Sequence, residues 1–295
     1  MIINLKTKEL TMKRFFLFVA AVCTLVACKS ESDNFVSNPD DSDSVVVRLD
    51  FQPYDITIEP MTRAAQPVSD YCTRLDIWLT DGSTTTEIHQ VSTDNGFGSA
   101  ELTLNKHKTY TLYCTGHKAD GPATLTGGII SWPFDKVSHS FFYTTQFSPA
   151  NTSELECVMQ RIVAMFRLEI TDVVPNEVAK FAYTIPQTYN RFNVDGSGAN
   201  QVDRTGVINL TSRNQDGGAA LNIYIIPTSA TAQDEVDITV QALTSADALV
   251  QQQSFGDVPI HAGYRTIFHG NFFTDKQFSM DFLAMDWQEL TTVSF

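Results

Sequence analysis

Apolar and polar residues alternate at every second position through most of this chain, and that period constrains its fold more than any other feature. Val45, Val47, Leu49 and Phe51 alternate with Val46, Arg48 and Asp50. Leu75, Ile77 and Leu79 alternate with Asp76 and Trp78, and Tyr110, Leu112 and Cys114 repeat the pattern. Ile162, Ala164, Phe166, Leu168 and Ile170 face away from Arg167 and Glu169; Leu221, Ile223, Ile225 and then Val236, Ile238, Val240, Ala242 follow. Successive side chains of a strand point to opposite faces, so a period of two marks half-buried strands. Asp81-Gly82-Ser83, Asp94-Asn95-Gly96, Asp195-Gly196-Ser197-Gly198 and Asp216-Gly217-Gly218 separate them, and their composition is that of turns. No long stretch shows helical spacing with caps. Short strands punctuated by turns predict an all-β chain built of β-sandwiches.

At 295 residues the chain accommodates two sandwiches of ~120 residues more naturally than one of ~250. Each half opens on a strong strand and later carries a strand-turn-strand unit ending in an aromatic strand. The expected boundary falls near Gln160, giving an N-terminal sandwich over 45–159 and a C-terminal one over 160–295.

The N-terminus is organised differently. Met12-Lys13-Arg14 precedes an apolar run over 15–27, the n-region and h-region of a signal peptide, too short to span a bilayer comfortably. Met12 is a second candidate start. Leu25-Val26-Ala27-Cys28 resembles the lipobox of bacterial lipoproteins, in which the cysteine thiol carries diacylglycerol. Residues 1–28 therefore read as a lipoprotein signal ending at Cys28, the expected lipidation site. Acyl chains at ~0.8 kcal/mol per buried CH₂ make such an anchor hard to reverse. The stretch KSESDNFVSNPDDSDS that follows is rich in Ser, Asp and Asn, so 29–44 reads as a flexible acidic tether. Its acids also resemble the surface-export signals of Bacteroidetes lipoproteins, although a plain solvated linker has the same composition.

Charge and motifs exclude several classes of function. The net charge is −14, and the first 28 residues carry +3 of it, so the remainder is near −17. That surface repels phosphate backbones, and no nucleic-acid partner is expected. His89, His107, His117, His139, His261 and His269 form no HxH or HExxH pair; His107 and His117 flank one strand but would need a third ligand. There is neither a P-loop nor a GxSxG elbow. No catalytic residue, metal site or cofactor is expected, and the chain reads as non-enzymatic. Cys23 leaves with the signal; Cys72, Cys114 and Cys157 remain, as buried thiols or with one bridge among them.

Four further stretches carry a family resemblance. PMTRAA (60–65) follows the first strand; SWPFDKVSHSFFY (131–143), QRIVAMFRLEITDVVPNEVAKF (160–181) and IHAGYRTIFHGNFF (260–273) come after it in order. Together with the lipobox, they resemble the fimbrillin superfamily of the Bacteroidetes, most closely its anchor and accessory subunits. That resemblance implies two transthyretin-like, Greek-key β-sandwiches in tandem, assembled into fimbriae by strand exchange. In stalk subunits of the family, cleavage after an arginine placed like Arg63 releases the lipidated first strand, here 45–59, whose anchors would be Val45, Val47, Leu49 and Phe51. An anchor subunit keeps that strand. The C-terminal piece, where Phe278, Met280 and Phe282 alternate, is either a donor strand or the closing strand of the second sandwich.

The resulting expectation is a structural subunit, anchor or accessory, of an adhesive cell-surface fimbria. It would sit in the outer membrane through acylated Cys28, with other fimbrial subunits as partners and host glycans or proteins as candidate receptors. The alternative is a lipid-anchored glycan-binding or adhesin module outside fimbriae, using Trp78, Tyr113 and Trp132 as stacking aromatics. The lipidation reading predicts that Cys28→Ala abolishes incorporation of labelled palmitate; label retained in the variant would refute it.

Overall fold

The computed structural model describes residues 43–53, 67–275 and 277–284, all within one compact unit, Phe35–Phe295. Among them there is no α-helix, only three short 3₁₀ turns at Val68–Asp70, Pro133–Asp135 and Pro149–Asn151. The chain is all-β, as its alternation predicts.

The first sandwich is built from β1 (Ser44–Pro53), β2 (Arg74–Thr80), β3 (Thr85–Val91), β4 (Ser99–Asn105), β5 (Tyr110–His117), β6 (Thr124–Thr126), β7 (Ile129–Ser131), β8 (Phe141–Phe147) and β9 (Glu154–Arg161), with β6 and β7 set apart as a hairpin. The other seven form a sheet in the order β3-β2-β5-β8-β9-β1-β4. Strands β8 and β9 pair only at Phe141–Arg161 and Phe142–Gln160, and there the sheet turns back on itself. Its inner faces then meet around Val47, Leu49, Leu75, Ile77, Leu112, Phe141, Cys157 and Met159. Each such side chain, fully buried, contributes ~1.5–3 kcal/mol.

The second sandwich comprises β10 (Ala164–Ile170), β11 (Lys180–Asn193), β12 (Gly198–Asn209), β13 (Ala219–Ile225), β14 (Asp234–Leu243), β15 (Leu249–Ile260), β16 (Tyr264–Gly270) and β17 (Phe278–Ala284). One sheet runs β13-β10-β16-β17; in the other, β11 lies between β12 and β14, with β15 beyond β14. Phe166, Leu168, Phe181, Ile223, Val240 and Phe272 fill the space between them. The two sandwiches share one strand order. In each, the first strand lies between a parallel last strand and an antiparallel fourth one: β1 between β9 and β4, β10 between β16 and β13.

A third apolar cluster joins the sandwiches. The β6–β7 hairpin, inserted after β5 of the first, pairs through Ile129 and Ile130 with Asn193 and Phe192 at the end of β11. Around it pack Trp78, Trp132, Phe142, Ile162, Val163, Phe192 and Ile226. This cover changes the reading of β2. Alternation assigns Asp76 and Trp78 to a solvent face, yet both are fully buried because the hairpin and the second sandwich close over it. Trp78 and Trp132 are therefore not exposed stacking aromatics, and Tyr113 packs half-buried against the same cluster. Ile162 also leaves the strand to which its period assigns it and sits in the short link before β10.

Cys72, Cys114 and Cys157 are buried free thiols, so the bridged alternative does not hold. Burial pushes the Cys72 and Cys157 thiols up to about 12 and Cys114 well above its ordinary value, which keeps all three protonated and unreactive. Gly116 makes room for Cys72: a Cβ there would lie 2.7 Å from its Sγ.

The joining cluster predicts a large penalty when it is hollowed. Trp132→Ala should lower the unfolding free energy by ~3–5 kcal/mol in urea melts. Leu249→Ala, at a residue 57% exposed, should stay within ~0.5 kcal/mol of wild type.

Candidate strand-exchange site

The slot that holds β1 is the most distinctive feature of the first sandwich. Residues Ser44–Asp50 pair antiparallel with Asn105–Ser99 of β4, and Arg48–Pro53 pair parallel with Glu154–Met159 of β9. Both ladders overlap at Arg48–Asp50, so β1 is an interior strand saturated on two sides. Further backbone bonds fix its course, from Arg48 N to Ser153 O (2.9 Å) and from Phe51 N to Gly98 O (2.8 Å). Val47 and Leu49 are fully buried and Phe51 nearly so, while Val45 is half-buried near the strand's start. On the outer face Val46 is exposed and Arg48 pairs with Asp50 at 2.9 Å. The four anchors named from the sequence thus point to one side, and three of them are core. Among the described residues β4 pairs with no strand other than β1, so loss of β1 would also release β4.

Among the described residues β17 pairs only with β16, from Tyr264–Ala284 to Gly270–Phe278. Phe278 rests on Phe255 (ring centroids 5.2 Å apart) and Phe282 stacks on Tyr264 (5.2 Å). Met280, between them, is 49% exposed. Among the described residues this strand is the outermost of its sheet, and none of its side chains is fully buried. Cys28 and Arg63 lie outside the described residues.

His107 stands apart, whereas His89 and His117 meet on Asp76. His107 Nε2 meets Asp43 at 3.1 Å on the surface. His117 is fully buried on Asp76: its Nε2 donates to Asp76 Oδ2 (2.6 Å), because Nδ1 accepts the Ala119 N–H (3.0 Å). Asp76 Oδ1 accepts from His89 Nδ1 (2.7 Å), and Oδ2 also takes the Ala123 N–H (2.7 Å). Burial opposes the charge on Asp76, but the bonds from His117, His89 and Ala123 outweigh it and hold the carboxyl below its usual range. The same hydrogen bond raises His89 above its usual value despite partial burial. With His117 sealed from solvent, the trio acts as a clamp. It fixes the 117–123 turn to β2 and so aims the β6–β7 hairpin at the second sandwich. No group of three His, Cys, Asp or Glu among the described residues can hold a metal ion. Alternation hides this clamp, since it assigns Asp76 to solvent; only the spacing of the hairpin insertion could have signalled a covered face.

This tandem of Greek-key sandwiches, with its first strand set between two others, now has a family. A sequence profile described as a family of unknown function (DUF6562) matches residues 135–283, half of the chain, and the protein belongs to that family. No curated protein matches it. Its fold is similar to a candidate adhesin from Bacteroides ovatus (14% identity over 83% of this chain and 95% of that one, TM-score 0.48). A candidate cell adhesion protein from the same species has 12% identity over 82% and 97% (0.46). The tip fimbrial protein Mfa3 of Porphyromonas gingivalis, C-terminally truncated, has 9% identity over 82% and 100% (0.43).

The clamp predicts a pH dependence. His89 has a raised value, so its contribution to stability is complete below the ordinary histidine pKa of ~6.5 and is lost as pH rises through the raised one. The stability difference between wild type and His89→Gln, read from urea midpoints, should be largest near pH 5.5 and shrink toward pH 9. A difference that stays constant over that range would remove charge from the account.

Proposed function

We propose that this protein is a non-enzymatic structural subunit, anchor or accessory, of an adhesive cell-surface fimbria. It is held in the outer membrane by lipid on Cys28 and joins neighbouring subunits by β-strand donation. The observation that carries the reading is the placement of β1. The first strand after the tether is an interior strand with three core side chains, so a lipid upstream of it would pull on the body of the first sandwich and not on a loose tail. Burial of Val47, Leu49 and Phe51 contributes about 5–9 kcal/mol, an upper figure because a released strand keeps part of its cover. That favours a permanently retained strand, with Arg63 left uncut, over a stalk subunit that sheds it.

On this reading β17 is the strand offered to a partner. Among the described residues it is bonded on one side only and held by half-buried Phe278 and Phe282, so it leaves at lower cost than β1. The partners are other fimbrial subunits and the outer-membrane lipid, with host glycans or proteins as receptors of the assembled fibre.

Intact mass spectrometry of the protein isolated from outer membranes distinguishes the roles. The expected species begins at lipid-modified Cys28 and retains β1. A chain beginning at Ala64 would overturn the anchor reading and make the protein a stalk subunit.

A further inference from the structure

The stretch SWPFDKVSHSFFY holds the most exposed large apolar side chain among the described residues. Phe134 is 94% exposed, in the turn Pro133–Asp135. Its backbone is left-handed (φ 57°, ψ 23°), and that of Asp135 also has positive φ (51°). A bulky residue rarely adopts that conformation, and the strain persists only where the surroundings enforce it. Here they do. Trp132 and Val137, on either side of the turn, are buried in the cluster that joins the sandwiches. Asp135 pairs with Arg191 of β11 (3.2 Å) and Lys136 with Asp120 (3.0 Å). The Asp135 and Lys136 N–H groups close back on the carbonyls of Trp132 and Pro133. Glycine or asparagine would take this turn with less strain, and the fold gains nothing from an aromatic ring held in water. Such a ring is stabilising only when a partner covers it. A rigid turn that presents it ready for burial is the pattern of an interface anchor.

A cleft of about 340 Å³ lies between the end of β12 and the start of β13, with Ile170, Ile208, Leu210, Ala219 and Leu221 among its lining residues. It sits at the end of β10 away from the joint. Ile170 lies six residues beyond Ala164, ~20 Å of strand, so a copy cannot seat its own Phe134 there. Charge selects where two such chains can meet. Each carries −14 and repels the other over most of its surface. The two acids beside Phe134 are already matched by Arg191 and Lys136. The cleft is locally cationic: Arg167 and Arg213 line it against the single acid Glu169, which pairs with Arg167 (2.6 Å) and His269 (3.1 Å). Arg213 hydrogen-bonds only to the carbonyls of Pro175 and Val178 among the described residues. A charge-balanced apolar knob and a cationic apolar-floored hole therefore stand on different parts of one acidic molecule.

We propose that Phe134 of one copy of this chain seats in the cleft of the next. The contact is head-to-tail: each copy keeps one free ring and one free cleft, so association propagates. It needs neither lipid nor strand donation, and its failure leaves the reading of the protein as a fimbrial subunit where it stands.

The test is sedimentation velocity of the full chain over a concentration series, with Cys28→Ala throughout so that acylation plays no part. The parent chain should form dimers and then larger species as concentration rises. Phe134→Asn removes the ring and suits the left-handed backbone, so it should melt at or above the parent temperature. Ser212→Trp plugs the cleft from an exposed lining position and should melt close to the parent. Each variant alone should associate at least about thirtyfold more weakly. Mixed, they should form dimers and stop there, because Ser212→Trp still offers a ring and Phe134→Asn still offers a cleft. A parent chain that stays monomeric or stops at dimers would overturn the proposal. So would association that survives either substitution, or a mixture that remains monomeric.

Discussion

The two-sided pairing of β1 is the interaction on which the first sandwich depends. A strand at a sheet edge can be lost at the cost of one ladder; β1 completes two, one parallel and one antiparallel, and connects β4 to the sheet. Its inward side chains form the floor beneath Leu75, Ile77 and Leu112. Backbone pairing and apolar burial therefore act in the same place, and neither can be removed alone.

The second constraint is the joint between the sandwiches. A hairpin excursion from the first sandwich adds β7 to the end of β11 in the second, and Trp78, Trp132, Phe142 and Phe192 pack around it. Such a joint differs from a flexible linker, which would leave relative motion as the default. It also explains why an aspartate is tolerated at the centre. The Asp76 carboxylate is wholly desolvated but accepts bonds from His117, His89 and Ala123, so its burial is compensated and the turn leading into the hairpin is fixed.

Much of this architecture is legible in the sequence, because a period of two leaves little freedom once turn residues break it. The anchors of β1 and the cores of β10, β13 and β14 follow directly from alternation. The failures share one cause. Alternation assumes that one face of each strand meets water, and β2 has no such face; Asp76 and Trp78 were therefore assigned to solvent when the hairpin covers them. The hairpin itself, three residues in each strand, is too short to show a period. The clamp of His117 and His89 on Asp76 was hidden for a related reason: its members are far apart along the chain, and only sheet pairing brings β2, β3 and β5 into register.

The repeated topology adds a last constraint on how firmly each strand is held. Strands β1 and β10 occupy equivalent slots, yet they differ in freedom. Only Ile162 and Val163 separate β10 from the end of β9, so it cannot leave its sandwich without dragging the last strand of the first one with it. β1 has no strand before it among the described residues, and 54–66 separates it from the turn at Val68. At the other end, β17 has no counterpart in the first sandwich: it is an addition to β16 beyond the shared strand order. Among the described residues, the first and last strands are thus the two that connectivity leaves joined to the fold at one end only. Of these, the N-terminal strand is fixed by two ladders and three core side chains, and the C-terminal one by a single ladder and two half-buried rings. The same fold therefore holds its first strand far more firmly than its last described one.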